Sequence, residues 1–358
     1  MEVNSIENHS HHLEERRHGD ACGMDFAQDG EFLPALYGIF FIVGTPINIV
    51  ALFGLYKLVK AENVLPVYVI NLLIADLLYL LTLPMWMDYY AHHHHWRFGP
   101  VACQISSMIF YISLYASVFF MCIIALERHM AIARPLNFRF LSQLKFARWF
   151  ALATWVVIAL PPSIAWVKFF PQHNNYTLCI ERFPAESGFI VYRLVTLLLT
   201  FVVPLAFIFT LHVKTMSSLM ALRALPSEEK TRIKSLLRLL LVTFVVVLGP
   251  YHVTGCIKYL GLLLRSDRCA WERAVFLPYQ LGRGLLVVNG LLDPVFYIFL
   301  RTDFRSVAAQ YMPCLRVVTE GLGQGKASRE GPPQPMEQCT SSANGCREAA
   351  SSSQATPS

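Results

Sequence analysis

Four stretches of the chain contain no charged side chain: Leu33–Tyr56, Val101–Leu126, Trp149–Val167 and Leu194–Leu211. Three more contain one or two ionisable groups: Val64–Trp86 with Asp76, Leu239–Ile257 with His252, and Ala274–Leu300 with Arg283 and Asp293. Their apolar residues run on without the three-to-four-residue stripe of a helix that lies half in water. Each stretch is about as long as a helix must be to cross the hydrocarbon core of a bilayer. The pattern predicts an all-α membrane protein, a seven-transmembrane helix bundle over residues 33–300. Residues 1–32 are polar and hold no apolar core of a signal peptide, so the first span is expected to act as the insertion signal. "RTDFRSVAAQYM" (301–312) reads as a short amphipathic helix on the inner surface. Residues 313–358 are rich in Ser, Gly, Pro and Gln and read as a disordered cytoplasmic tail.

Composition agrees with this pattern. The 358 residues are 55% hydrophobic and only 15% charged, where a soluble domain carries about 25% charge. The positions of the cations set the orientation. Lys57 and Lys60 follow span 1; Arg134, Arg139, Lys145 and Arg148 separate spans 3 and 4. Arg223, Lys230, Arg232 and Lys234 separate spans 5 and 6, and Arg301 and Arg305 follow span 7. The other loops are poorer in Lys and Arg, so the N-terminus is expected outside and the C-terminus in the cytosol. The net charge of +6 is mostly this inside bias and gives no reason to expect nucleic acid as a partner.

Of the nine cysteines, Cys22, Cys103, Cys179 and Cys269 face the oxidising side, which permits two bridges in any of three pairings. Cys122 and Cys256 lie within spans and read as small apolar residues. Cys314, just past the last span, is a candidate for palmitoylation. Asn8 and Asn175 begin glycosylation sequons on the outer side.

Ionisable and amide side chains inside a bilayer are costly and point to function. They are Asn48 in span 1, Asp76 in span 2, and Asn289 and Asp293 in span 7. Packed together, they suit water or a sodium ion near Asp76; no other cofactor is expected. Pro46, Pro84, Pro204, Pro250 and Pro294 interrupt five spans and leave carbonyls unpaired where the bundle can bend. Glu127 and Arg128 form an ion pair at the inner end of span 3 that is easily remade with another partner. No nucleophile–base constellation appears, so an enzyme is not expected.

Taken in order, these features resemble the rhodopsin-like (class A) G-protein-coupled receptors over residues 33 to about 312. The matching features are Asn48, "NLLIADL" with Asp76, "WRFG" before Cys103, and "ERH" (127–129) where the family usually has Asp-Arg-Tyr. They continue with Trp155, Pro204, "GPYH" (249–252) and "DPVFY" (293–297). The resemblance implies a receptor of the plasma membrane whose partners are a heterotrimeric G protein and arrestin. Its switch residues would be Asn48, Glu127, Arg128, Pro250, Asn289, Pro294 and Tyr297. His129, Leu248 and His212 depart from the family pattern at switch positions.

"LYLLTLPMWMDYY", "HHHHWRFGPVAC", "NNYTLCIERFP", "SEEKTRIKSLL" and "LGPYHV" resemble one branch, the proton-sensing receptors and their lysolipid-linked relatives. By this resemblance Cys103 pairs with Cys179, and Cys22 with Cys269. Nine of the twelve histidines face the outside or its edge: His92–His95, His173, and four in the tail. An unperturbed imidazole titrates near pH 6.5. Crowded imidazolium ions repel, and protonation favours arrangements that pair them with Asp88, Glu181, Glu186 or Glu272. Inverting a two-state equilibrium takes roughly 5.5 kcal/mol, and one unit of pKa difference supplies about 1.36 kcal/mol, so about four groups must contribute. The proton-sensing candidates are His92, His93, His94, His95, His173, His252, Asp76 and Asp293. Tyr176, Gln280 and Ile158 stand where the branch has a histidine, a histidine and a buried glutamate. Four consecutive histidines cannot all face one ion, so no metal site is expected.

The alternative is an anionic ligand, a lysophospholipid, fatty acid or nucleotide, held by Arg193, His252 and Arg283 with Lys258 above and Tyr111 and Gln280 alongside. "YQLGRGL" (279–285) resembles the nucleotide-receptor branch. In either case an outer event biases the kinks at Pro204, Pro250 and Pro294, span 6 swings from Arg128, and a cytosolic cleft opens.

Overall fold

A computed structural model describes residues 22–59, 65–133, 143–169, 178–222 and 225–300. Seven long helices span them: α1 (Phe32–Val59), α2 (Leu65–Ala91), α3 (Gly99–Ala133), α4 (Leu144–Phe169), α5 (Ser187–Ala221), α6 (Ser227–Leu264) and α7 (Arg268–Leu300). Each contains one predicted span. Residues 301–358 with Cys314, His173, the sequons at Asn8 and Asn175, and the side chain of Tyr297 lie outside the described residues. One helical turn, Ala27–Gly30, precedes α1. The described residues therefore include the end of the stretch read as a polar tail.

The surface has the polarity of a protein solvated by lipid. Trp149 is 72% exposed, Ile42 71% and Val246 62%, with Val202 and Phe209 also outward. In hydrocarbon every backbone N–H and C=O must be paired within the chain, which is why these segments are helices. The interior gathers the residues that pack and the residues that carry charge. α3 lies against α2, α4 and α5, α1 against α2 and α7, and α6 against α5 and α7. Trp155 Nε1 donates to Asn71 Oδ1 at 2.8 Å, tying α4 to α2.

Helix α6 changes its winding where the proline pattern predicts a bend. Phe244–Leu248 form one π turn directly before Pro250. Proline has no N–H to donate and its ring collides with the preceding turn, and the wider turn accommodates both defects. Pro46, Pro84, Pro204 and Pro294 lie inside α1, α2, α5 and α7, as do Pro161 and Pro162 inside α4. Among the described residues the disulfides are Cys22–Cys269 and Cys103–Cys179, and Cys122 and Cys256 are free thiols.

Close helix contact at the outer end depends on glycine. A Cβ built on Gly261 of α6 would overlap the Trp271 indole of α7, and one on Gly282 would lie 3.0 Å from the backbone of Tyr251. Trp271 Nε1 also donates to the Lys258 carbonyl at 3.0 Å, which fixes the ring over Gly261. Gly261→Ala is expected to cost about 1–3 kcal/mol by overpacking. It should lower the melting temperature of the detergent-solubilised protein, and the same change at Gly23, whose added Cβ would meet nothing within 4 Å, supplies a control for strain at positive φ alone.

Candidate functional site

The histidine run is the C-terminal cap of α2. The amide of His93 donates to the carbonyl of Tyr90 at 3.1 Å and that of His94 to Tyr89 at 2.9 Å, the bond pattern of a Schellman motif. His93 and His94 have φ +52° and +62°. The left-handed region disfavours most side chains, though histidine enters it more readily than bulkier or branched residues. Two such residues in succession turn the chain sharply, and the four side chains part. His92, His93 and His95 face solvent, while His94 is 1% exposed. Asp88 accepts from the Arg97 guanidinium and lies 3.3 Å from His92 Nδ1 at the surface. The run is not placed as a set: one imidazole of four enters the protein.

Inside, His94 bridges two carboxylates. Nδ1 lies 2.7 Å from Glu181 Oε2, and Nε2 lies 3.0 Å from Asp29 Oδ2. A neutral imidazole has one N–H; two ionised carboxylates at its two nitrogens require two. The geometry calls for imidazolium. Burial works against that charge, but the Glu181 charge, hydrogen bonds to Asp29 and Glu181, and the Asp29 charge outweigh it and raise the pKa from 6.5 to about 9. For Glu181, burial favours the neutral acid, and the charge and hydrogen bond of His94 with the charges of Arg283 and Lys258 overcome it, holding the carboxyl at about 2. Phe26 stacks on the imidazole at 4.3 Å.

Each partner is delivered by a disulfide. Cys22–Cys269 ties the tail to the start of α7, and Arg273 donates to the Cys22 carbonyl at 3.0 Å. Asp29 follows seven residues later and is fully buried. Cys103–Cys179 ties the outer loop to α3, and Ile180, at φ +68°, turns the chain so that Glu181 points inward. Asp29 is the site residue that sequence reasoning missed. Its signal was the pairing of Cys22 with Cys269, which forces the following residues down onto the bundle.

Glu181 continues the network. Its Oε2 also accepts from the Tyr89 hydroxyl at 3.0 Å, and its Oε1 accepts from Arg283 Nη1 at 2.9 Å and Gln280 Nε2 at 3.4 Å. Arg283 lies over the rings of Trp86 and Phe110. It lines a small pocket together with Tyr111, Glu181, Lys258, Tyr259 and Tyr279. Lys258 pairs with Glu272 at 3.0 Å. The cations proposed to converge are separated here. His252 lies 3.3 Å from Thr200, stacks on Phe201 and does not line the cavity. Arg193 lies behind the rings of Tyr111 and Tyr259.

Deeper in the bundle, Asn48 Nδ2 donates to the carbonyls of Gly44 and Gly290 at 2.9 and 2.6 Å, joining α1 to α7. Ser117 donates to Asp76 at 3.3 Å and Asn289 to Asp293 at 2.8 Å. A small cavity opens between Asp76, Ser113, Ser117, Leu248 and Asn289. Asp76 Oδ2, Ser113 Oγ and Asn289 Oδ1 are buried there without a protein partner, a donor set that fits a hydrated cation. At the inner end Arg128 is clamped on Glu127 by two hydrogen bonds of 2.5 and 2.8 Å. His129 Nδ1 lies 2.9 Å from Thr215 Oγ1 of α5.

A family model described as 7 transmembrane receptor (rhodopsin family) matches residues 47–297. The chain belongs to the rhodopsin family of seven-transmembrane receptors. It is 30% identical over 309 residues to G-protein coupled receptor 68 of Homo sapiens, covering 84% of this chain and 82% of that one. It is 31% identical over 281 residues to G-protein coupled receptor 65 of Homo sapiens (76% and 83%). It is also 27% identical over 287 residues to the uracil nucleotide/cysteinyl leukotriene receptor of Homo sapiens (80% and 78%). The receptor is a multi-pass protein of the plasma membrane that couples to G proteins, and it is not an enzyme.

Asp29→Asn removes one of the two charges facing His94. The imidazole pKa should fall from about 9 toward the ordinary 6.5, because the Asp29 charge and hydrogen bond both favour imidazolium. Histidine ring ¹³C shifts of labelled receptor in nanodiscs, titrated from pH 5.5 to 10, measure it.

Proposed function

We propose that the receptor responds to extracellular acid through His94, bridged between Asp29 and Glu181. The observation that carries this reading is the burial of a single imidazole with a carboxylate at each nitrogen. The resemblance to proton-sensing receptors supports it. Any arrangement that releases His94 to water returns it to about pH 6.5, while the bridged arrangement holds it at about 9. A raised pKa stabilises the bridged arrangement fully below pH 6.5, and that preference is lost as pH rises through 9. The difference between the two states corresponds to roughly 3 kcal/mol, and about half of that changes between pH 8.0 and 6.5.

The proton thus acts by drawing four elements together: the tail at Asp29, the end of α2 at His94, the outer loop at Glu181 and α7 at Arg283. Contraction of the outer face tilts α7 and α6 about Pro294 and the π turn before Pro250. Arg128 then leaves Glu127 and the inner face receives the heterotrimeric G protein; arrestin is the second partner expected at that face. A sodium ion held near Asp76 would oppose the same movement by keeping α2, α3 and α7 in register.

In cells expressing the receptor, cyclic AMP or inositol phosphate output should rise as pH falls from 8.0 to 6.5, relative to mock-transfected cells. His94→Asn, which tolerates positive φ and cannot take up a proton, should flatten the curve at equal surface expression. The triple variant His92→Asn, His93→Asn, His95→Asn should leave it within about 0.2 pH units of the parent, since those imidazoles face solvent. A triple variant that flattens the curve while His94→Asn does not would overturn the assignment.

The Cys22→Ser, Cys269→Ser variant frees the segment that carries Asp29. It should reach the surface, because the bundle's own contacts do not pass through that bridge, yet shift the midpoint of the acid response to lower pH. Surface staining and the pH curve of the same cells check both halves of that expectation.

A further inference from the structure

The imidazole of His94 is enclosed by rings as well as by acids. Tyr89 and Tyr90 each lie 4.9 Å from it, centroid to centroid, and Phe276 lies 5.8 Å away. Their planes are inclined to it by 53°, 85° and 46°. Among the described residues only Phe26 stacks on it, at 4.3 Å and 22°. An aromatic face carries partial negative charge. A ring laid face-on therefore favours imidazolium over neutral imidazole, and more strongly where water is excluded. His94 meets that condition, since its side chain is 0% exposed.

Phe26 stands four residues after Cys22 and three before Asp29, on the segment that the Cys22–Cys269 bridge ties to α7. Away from the imidazole it meets Phe183 and Phe276, each at 5.9 Å. Those two rings form a small apolar cluster with Cys22 and Met24, separate from the core of the bundle. The Phe26 ring is thus braced by one set of contacts and laid on the imidazole by another. We propose that Phe26 is a positioning residue of the acid response, a ring laid on His94 by the docked tail that sets the threshold at which the receptor responds. This inference rests on the reading of the His94 bridge as the acid sensor. Tyr89 and Tyr90 end the helix that His94 caps and stay beside it when the bridge opens. A group present in both conformations does not shift their balance. Phe26 leaves with the tail, so its preference for the charged imidazole acts in the bridged arrangement only, together with that of Asp29. The face favours the protonated bridge, and with it in place less acid is needed. Weakening the face moves the half-response to lower pH.

The test keeps the ring and changes its charge distribution. In the full-length receptor, expressed in cells with nonsense suppression, Phe26 is exchanged for phenylalanine carrying one, two or three ring fluorines. Fluorine withdraws charge from the face and barely changes the size of the ring. At equal surface expression, the midpoint of the cyclic AMP or inositol phosphate response should fall stepwise along the series, by about 0.5–1 pH unit with three fluorines. Phe26→Leu, which keeps an apolar cover without a π face, should fall at least as far. Phe26→Trp, with a stronger face, should hold or raise the midpoint. The His94 ring ¹³C shifts of Phe26→Leu receptor in nanodiscs should titrate at lower pH than those of the parent. Equal midpoints across the fluorinated series, with a shift in Phe26→Leu, make the ring a packing element and overturn its role in setting the threshold. Equal midpoints in every variant overturn it as well, and a curve that His94→Asn still flattens then leaves His94 as the sensor. A curve left intact by His94→Asn overturns the sensor and the threshold role together. If Phe26→Leu fails to reach the surface, the fluorinated series decides.

Discussion

The outer half of the receptor depends on a charge balance that one proton completes. Asp29 and Glu181 are carboxylates with little or no access to water, and a single imidazole stands between them. With His94 charged, the group of Asp29, Glu181, His94 and Arg283 sums to zero. With His94 neutral, it carries an uncompensated negative charge in a place where such charges are expensive. Both disulfides serve this arrangement, each fixing the segment that brings one carboxylate to the imidazole. The left-handed backbone at His93 and His94 serves it too, by turning one side chain inward and three outward. Strain of this kind persists only where surrounding contacts determine it, and here the contacts are ionic.

The same carboxylate connects the outer face to the switch elements. Glu181 holds Arg283, and Asn289 and Asp293 lie six and ten residues further along α7, roughly 9 and 15 Å by helical rise. Asn289, which donates to Asp293, lines the lower cavity with Asp76 of α2, and several oxygens there have no protein partner. Tilting α7 therefore moves a set of buried polar atoms that are incompletely satisfied, and such sets have more than one arrangement of similar energy. The π turn at Phe244–Leu248 places a second soft point on the neighbouring helix, with Leu248 lining the same cavity. At the far end, Arg128 is paired with Glu127.

Much of this was legible in the sequence, for physical reasons. A bilayer requires continuous apolar runs, so the seven spans, their orientation and the class of fold could be read from hydropathy and cation positions. Glu181 was among the carboxylates expected to meet a histidine, and the disulfide pairing followed from resemblance. Which histidine enters the protein was not legible, because it depends on how α2 terminates, and one residue of register exchanges an inward for an outward side chain. Asp29 was hidden for a different reason. It sits in a polar stretch that looks like free tail until the bridge from Cys22 to α7 is taken as a constraint on its neighbours. The separation of His252 from Arg283 was likewise a matter of helix rotation. Residues on adjacent helices at one depth need not face one cavity, and spacing along the chain does not say which way α6 turns after a π turn.

The energy available from the bridge sets how the receptor can behave. Inverting a population from 1:99 to 99:1 takes roughly 5.5 kcal/mol, and the bridge supplies roughly 3 kcal/mol at most, half of it between pH 8.0 and 6.5. If His94 is the sensor, one histidine changes the populations by about tenfold over that interval. This is ample for a receptor whose two conformations are nearly balanced and too little for one locked in its resting form. The switch positions suit the first case. Leu248 stands where the family usually has a large aromatic ring beside the proline bend, and a smaller side chain over the lower cavity gives α6 less to displace. His129 and His212 likewise stand where the family usually has tyrosine. A weakly biased equilibrium would make a modest proton term sufficient.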